Sequence, residues 1–211
     1  MFVERTAGRA GAWWGALAVV MATAGPALAQ GEGGGSPVPT PCDFVTSGGF
    51  VITDSGKKAS FGAHGGCKHE AFWGNVNLVD HETGYHVNGS EVTGYLAPFG
   101  VDHPARDICG LATTNRASDP QPMYFRIRVV DNGEPGRLDL FGILLAKRTS
   151  PETFEETYRI TPRLLSAVRP GGGNVQLHGA NASTTAPLAP FDEYTACGGL
   201  TFDADPPPPP D

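Results

Sequence analysis

Residues 71–80 read AFWGNVNLVD, and residues 123–130 read MYFRIRVV. In the first run Phe72, Gly74, Val76 and Leu78 alternate with Trp73, Asn75, Asn77 and Val79. In the second, Phe125, Ile127 and Val129 alternate with Tyr124, Arg126 and Arg128. Side chains along a strand point to opposite faces with a period of two. Each run therefore offers one apolar face to a core and one face of different character, which predicts half-buried strands.

Working outward, the same pattern recurs between turn signals. Phe44-Val45 and Phe50-Val51-Ile52 flank Gly48-Gly49. Lys58 to Ala63 places Ala59, Phe61 and Ala63 on one side. Tyr85-His86-Val87, Glu91 to Leu96 and Asp107 to Thr113 follow. Asn132-Gly133 is a hairpin signal, with Leu138 to Leu145 as the partner strand. Val175-Gln176-Leu177 reads as a short strand, and Leu200-Thr201-Phe202 as one that closes the sheet. Between Glu152 and Val168 the pattern is ambiguous, with a strand over Thr157–Thr161 and a short helical turn over Arg163–Val168. No long helix is evident. Many short strands separated by turns predict an all-β, antiparallel β-sandwich, its topology open between jelly-roll and immunoglobulin-like.

Composition fits that class. The chain has 211 residues with 29 Gly and 19 Pro, a content that favours turns over helices. Its formal charge is −7, which argues against general nucleic-acid binding, because phosphate recognition wants a basic patch. Arg5 and Arg9 precede a short apolar run, and Ala27-Leu28-Ala29 forms a small-x-small cleavage site before Gln30. Residues 1–29 therefore read as a secretory signal peptide, and the run is short for a membrane span. Removing it takes away Arg5, Arg9 and Glu4 and leaves a net −8. Residues 30–41 are a Gly/Pro linker, 42–203 a single β-sandwich domain, and 204–211 a polyproline tail.

The four cysteines, Cys42, Cys67, Cys109 and Cys197, all follow the signal. An even number in an exported chain reads as a disulfide framework. No Cys-x-x-Cys pair supports a structural zinc site. Among the three connectivities the reading favours Cys67–Cys109 with Cys42–Cys197, the second tying the ends of the domain together.

Several phrases occur together in a fixed order. They are Cys42-Asp43-Phe44-Val45-Thr46-Ser47-Gly48-Gly49-Phe50, Ala59-Ser60-Phe61-Gly62, Phe72-Trp73-Gly74-Asn75-Val76-Asn77 and Val79-Asp80-His81. Asp131-Asn132-Gly133-Glu134-Pro135-Gly136 and Gly171-Gly172-Gly173-Asn174-Val175-Gln176-Leu177-His178 follow. This order resembles the bacterial secreted modules called post-COAP domains, over residues 42–179. The resemblance implies an exported all-β domain of the kind appended to larger surface proteins, with no assigned activity and no catalytic residues to carry over. Ser47 departs from the pattern, which has another glycine there. So does Asn75, where relatives have histidine, and this weakens a metal site on that strand.

Candidate chemistry is sparse. Asp131, Glu134 and Asp139 cluster about a Gly-rich bend, and hard oxygen ligands on a tight loop suit calcium. The same residues also serve as caps of a hairpin loop. His81 and His86 flank a turn and, with a carboxylate, could hold zinc or copper. No H-E-x-x-H motif, nucleophile elbow, P-loop or dinucleotide fingerprint is present. Trp73, Tyr85, Tyr95 and Phe99 offer an aromatic sugar- or peptide-binding face, or ordinary core.

The expectation is an exported, non-catalytic module with a binding or structural role at the cell surface or in the periplasm. Its partner would be a surface or extracellular ligand, with no nucleic acid, no membrane insertion after signal cleavage and no required cofactor, calcium being possible. The alternatives are a small metal-dependent enzyme using His81, His86 and nearby carboxylates, or a calcium-stabilised adhesion domain.

Overall fold

A computed structural model describes residues 37–165 and 172–203. The signal peptide, most of the linker, the polyproline tail and the end of the expected helical turn lie outside these residues. Nine antiparallel strands account for most of what is described: β1 (Phe44–Ile52), β2 (Lys58–Lys68), β3 (Ala71–Asp80), β4 (Tyr85–Leu96), β5 (Ala105–Thr114), β6 (Met123–Val130), β7 (Leu140–Ser150), β8 (Thr153–Leu164) and β9 (Gly173–His178). One helical turn, α1 (Glu193–Ala196), follows, with Asp192 as its N-cap. Among the described residues no helix is long and apolar enough to cross a membrane.

The strands form a single sheet in the order β8-β7-β6-β5-β4-β3-β2-β1-β9. The all-β, antiparallel, disulfide-stapled expectation holds, but the topology is neither jelly-roll nor immunoglobulin-like: β1 to β8 form an up-and-down meander and β9 returns to pair with β1. The sheet curls until its two halves face each other across the core. Phe61 of β2 stacks on Phe141 of β7 with ring centroids 3.6 Å apart. Arg163 of β8 donates from Nη1 to the Ile52 carbonyl of β1 at 3.0 Å. The inward positions of the two deciding runs, Val76, Leu78, Phe125, Ile127 and Val129, are all buried in this core. Each such side chain contributes about 1.5–3 kcal/mol of transfer free energy.

Several expected segments merge. Tyr85–Val87 and Glu91–Leu96 are one strand, β4, interrupted by register shifts at Gly89/Glu91 and Val92/Gly94. β8 runs through Leu164, so no helical turn begins at Arg163. Tyr158 and Ile160 pack inward, and this alternation extends the strand. Asn132-Gly133 does not make a two-residue hairpin turn, because β7 starts only at Leu140.

The disulfides are Cys42–Cys67 and Cys109–Cys197, which corrects the favoured pairing. Register decides it. Phe44 lies opposite Gly66, so Cys42, just before β1, meets Cys67 at the end of its hairpin partner. Cys109 faces outward from β5, where the C-terminal segment passes.

That segment is the second correction. Leu200-Thr201-Phe202 is not a strand. Residues 186–203 form a strap laid over the outer face of β4–β7. Leu200 packs on Leu144 and Ala146, and Cys197 beside Leu96 and Cys109. Thr93 donates to the Ala196 carbonyl at 2.7 Å, and Arg126 Nη1 to that of Leu200 at 2.9 Å. Beneath the strap Asp107, 0% exposed, lies between Arg126 and Arg128, each 3% exposed. Arg126 also pairs with Glu193 of α1 at 2.8 Å. A second buried pair, Arg106–Asp43, accepts the Tyr95 hydroxyl proton on Asp43 Oδ1 at 2.7 Å.

Candidate ligand-binding face

The strap covers one half of the outer face and leaves the other half open. On β9, β1, β2 and β3 the outward positions align by register into rows. His178, Phe44, Gly66 and Trp73 form the first. Gln176, Thr46, His64 and Asn75 form the second. Asn174, Gly48, Gly62 and Asn77 form the third, continued on β4 by Asn88. Phe50, Ser60 and Val79, with His86 of β4, form the fourth. All but Gly66 are half-buried or exposed, and none is Asp, Glu, Lys or Arg.

Local geometry fixes this surface. The Phe44 ring stacks on His178 with centroids 4.4 Å apart and planes 6° from parallel. Trp73 lies 6.1 Å from Phe44 and 5.5 Å from His64, tilted to both. Gly66 makes room for this cluster, since a Cβ there would sit 2.4 Å from the Phe44 Cβ. Thr46 Oγ1 and His178 Nε2 are 2.9 Å apart. The Trp73 Nε1–H is buried with no hydrogen-bond partner, although such donors usually find one. Gly48 and Gly62 leave a shallow trough between the amides of Asn174 and Asn77. Nothing lies within 4 Å of a Cβ built at Gly62.

The expected aromatic face therefore splits. Trp73 reaches the open surface, while Tyr85 and Tyr95 are core residues and Phe99 packs on Ala105, Val130 and Leu140. Phe44, His64 and His178, absent from the sequence expectation, complete the ring cluster. Tyr85 donates to Asp119 at 2.6 Å and Tyr158 to Asp80 at 3.3 Å. Burial, reinforced by these carboxylates, raises both hydroxyls, Tyr85 to about 12. Tyr95, bonded to Asp43, is raised by the same causes.

Asp131, Glu134 and Asp139 do come near one another, through partners on β9. Asp139 accepts the Val175 N–H at 2.6 Å and the Asn132 N–H at 2.9 Å. Asp131 accepts the Leu177 N–H at 2.7 Å and the Gly133 N–H at 3.0 Å. Glu134 accepts from the Asn174 amide at 3.1 Å. The two aspartates thus take the ladder's place on the outer edge of β9, which otherwise presents unpaired N–H groups. Burial raises the Asp139 carboxyl; the two backbone bonds oppose the shift and the neighbouring Asp131 and Glu134 charges add to it. His81 Nε2 lies 2.9 Å from Ser60 Oγ, and His86 stands opposite Val79. Among the described residues no group of three or more His, Cys, Asp or Glu is arranged to hold a metal ion.

Two of the concavities among the described residues differ sharply in character. One, of about 210 Å³, is lined by Asp54, Asp80, Glu82, Tyr158, Arg159 and Arg163. Its charges answer one another: Arg163 pairs with Asp54 at 2.9 Å and by hydrogen bond and charge lowers that carboxyl. The other, of about 530 Å³, is an apolar groove between the strap and Phe72, Thr93, Leu111 and Tyr124. No family model matches the chain, and no curated protein or solved structure matches it either.

Proposed function

We propose that this protein is an exported, non-catalytic β module with a binding role at the cell surface or in the periplasm, and that the open face of β9, β1, β2 and β3 is its ligand face. One observation carries the reading. In a chain of net charge −7, the side chains of the four rows on this half of the sheet include no Asp, Glu, Lys or Arg, and its outward lysines, Lys58 and Lys68, stand at the two ends of β2, Lys58 over the Phe50 ring, while the chain's own strap covers the other half. A surface that meets only water is dressed with mixed charges. Aromatic side chains set among uncharged polar groups, with charges kept to the rim, are the composition of an interface. The leader-like first 29 residues and the two disulfides support export, as does the resemblance to post-COAP domains.

Gly62→Glu tests the face. It places a charged side chain in the trough where a Cβ meets nothing, and replacing a strand glycine favours the folded state. The protein is mixed with washed, insoluble envelope fragments of the producing cells and sedimented. Wild type is expected in the pellet and the variant in the supernatant, the variant melting no lower than wild type. Equal partitioning of the two refutes the assignment.

A further inference from the structure

The chemistry of this face selects among polymers, and we infer that its ligand is a neutral polysaccharide chain lying along the trough; this rests on the face being the ligand site. Three properties converge. Sugar hydroxyls donate and accept at once, and so do the side chains on offer: Asn75, Asn77 and Gln176 are exposed amides, each carrying both a carbonyl and an NH₂. Sugar rings also present C–H faces, which aromatic rings cover. In the tilted cluster of Trp73, Phe44 and His64, His64 stands one row from the trough and Phe44 and Trp73 two rows, about 13 Å along the strands, and the three form an aromatic flank for a polymer wider than one sugar ring. Finally, an anionic glycan would call for Lys or Arg along its length and a cationic one for Asp or Glu; the rows themselves hold neither, and the charges at hand are single ones of opposite sign at the margin, Lys58 over Phe50 and Glu134 on the Asn174 amide.

The shape agrees. A small molecule binds in a cleft that removes most of its surface from water, whereas this surface is open. The Asn174–Gly48–Gly62–Asn77–Asn88 row crosses five strands, about 19 Å at the usual strand spacing. That length suits an extended polymer. The Trp73 Nε1–H in the aromatic flank is a buried donor without a protein acceptor.

The envelope assay is repeated on fragments treated with periodate, which cleaves vicinal diols, on fragments digested with protease, and on untreated fragments in 0.5 M NaCl. Periodate is expected to reduce wild-type sedimentation at least tenfold. Protease and salt are expected to leave it within twofold, because a neutral ligand has no charge to screen. Trp73→Ala is expected to weaken it at least fivefold when assayed well below the variant's melting temperature, which falls because the ring packs on Phe44 and His64. Sedimentation that depends on Gly62 but survives periodate, or is lost to protease or salt, overturns the glycan while leaving the face intact. Sedimentation indifferent to both Gly62 and Trp73 overturns the face itself, and the glycan with it.

Discussion

Asp107→Ala probes the contact between strap and sheet. The carboxylate accepts from Arg126 Nε at 2.7 Å and Nη2 at 2.6 Å, and from Arg128 Nε at 2.8 Å and Nη2 at 2.9 Å. It is fully buried, and both guanidiniums are 3% exposed. Removing it leaves two desolvated cations facing each other, and breaking a buried pair this way costs about 3–5 kcal/mol. For a domain of this size the expected fall in melting temperature is about 6–20 °C, at about 2–4 °C per kcal/mol. The measurement is guanidinium unfolding followed by circular dichroism, with midpoint and slope fitted for wild type, Asp107→Ala and Asp107→Asn. The asparagine keeps an acceptor and the shape, so its loss should be smaller. A cost below about 1 kcal/mol for the alanine, the range of exposed pairs, would refute the view that the strap seals these charges from water. An apolar replacement of all three residues is expected to fold, since such substitutions are often neutral or stabilising. It should still loosen the strap, because the Leu200 carbonyl and Glu193 lose Arg126.

Removing Cys109–Cys197 by serine substitution should destabilise more than removing Cys42–Cys67, because their separations are 88 and 25 residues. The chain-entropy model gives about 4.6 and about 3.5 kcal/mol; the reverse order in chemical unfolding would contradict it. Calcium should leave the melting temperature unchanged, since Asp131 and Asp139 are occupied by backbone N–H groups, and a rise of several degrees, produced by mass action, would reassign them to the ion. The raised Asp139 carboxyl keeps its proton in the folded state after the unfolded chain has lost it. Its contribution is full below the ordinary value of 3.8 and is lost as pH climbs through the folded value. Asp139→Asn should remove that part of the acid-side pH profile; an unaltered profile disproves the assignment. Tyr85, Tyr95 and Tyr158 are raised in the same sense, so their contribution is present below pH 10 and is lost above it. Tyrosinate absorbance and unfolding should therefore rise together at alkaline pH, and ionisation of all five tyrosines with the fold intact would show these hydroxyls to be free.

Alternation revealed most of the strands, because each turns one apolar face to the core, and a one-residue slip would expose the whole set; β7, buried on both faces, reads instead as a continuous apolar run. Alternation also put Arg126 and Arg128 on the side away from the core, which is correct. What it did not reveal is that this side is covered. The end of the strap, Leu200-Thr201-Phe202, is a short apolar run after a Gly pair, and such a run looks alike whether it joins a sheet or lies across one. The disulfide pairing depended on register between β1 and β2, a property of two segments that neither carries alone. The uncharged face of β9, β1, β2 and β3 was missed for the same reason. Thr46, His64, Asn75 and Gln176 are unremarkable polar residues on four separate strands, and only pairing sets them side by side. One signal was available, namely that between Lys58 and Lys68 at the ends of β2 the outward positions of these segments hold no Asp, Glu, Lys or Arg, and it becomes visible once their facing is assigned.

The meander also orders events in time. From β1 to β8 each strand pairs with its predecessor, so each step closes only a short loop. β9 alone must travel back from the far end of the chain to β1, and the strap follows it. During synthesis the first eight strands can therefore assemble hairpin upon hairpin while β1 keeps a bare edge, a template for any other chain nearby. A lesion early in the sequence removes the nucleus and leaves an unfolded chain for proteolysis. A truncation between β8 and β9 leaves most of the sheet with one edge unguarded, and its expected fate is edge-to-edge aggregation.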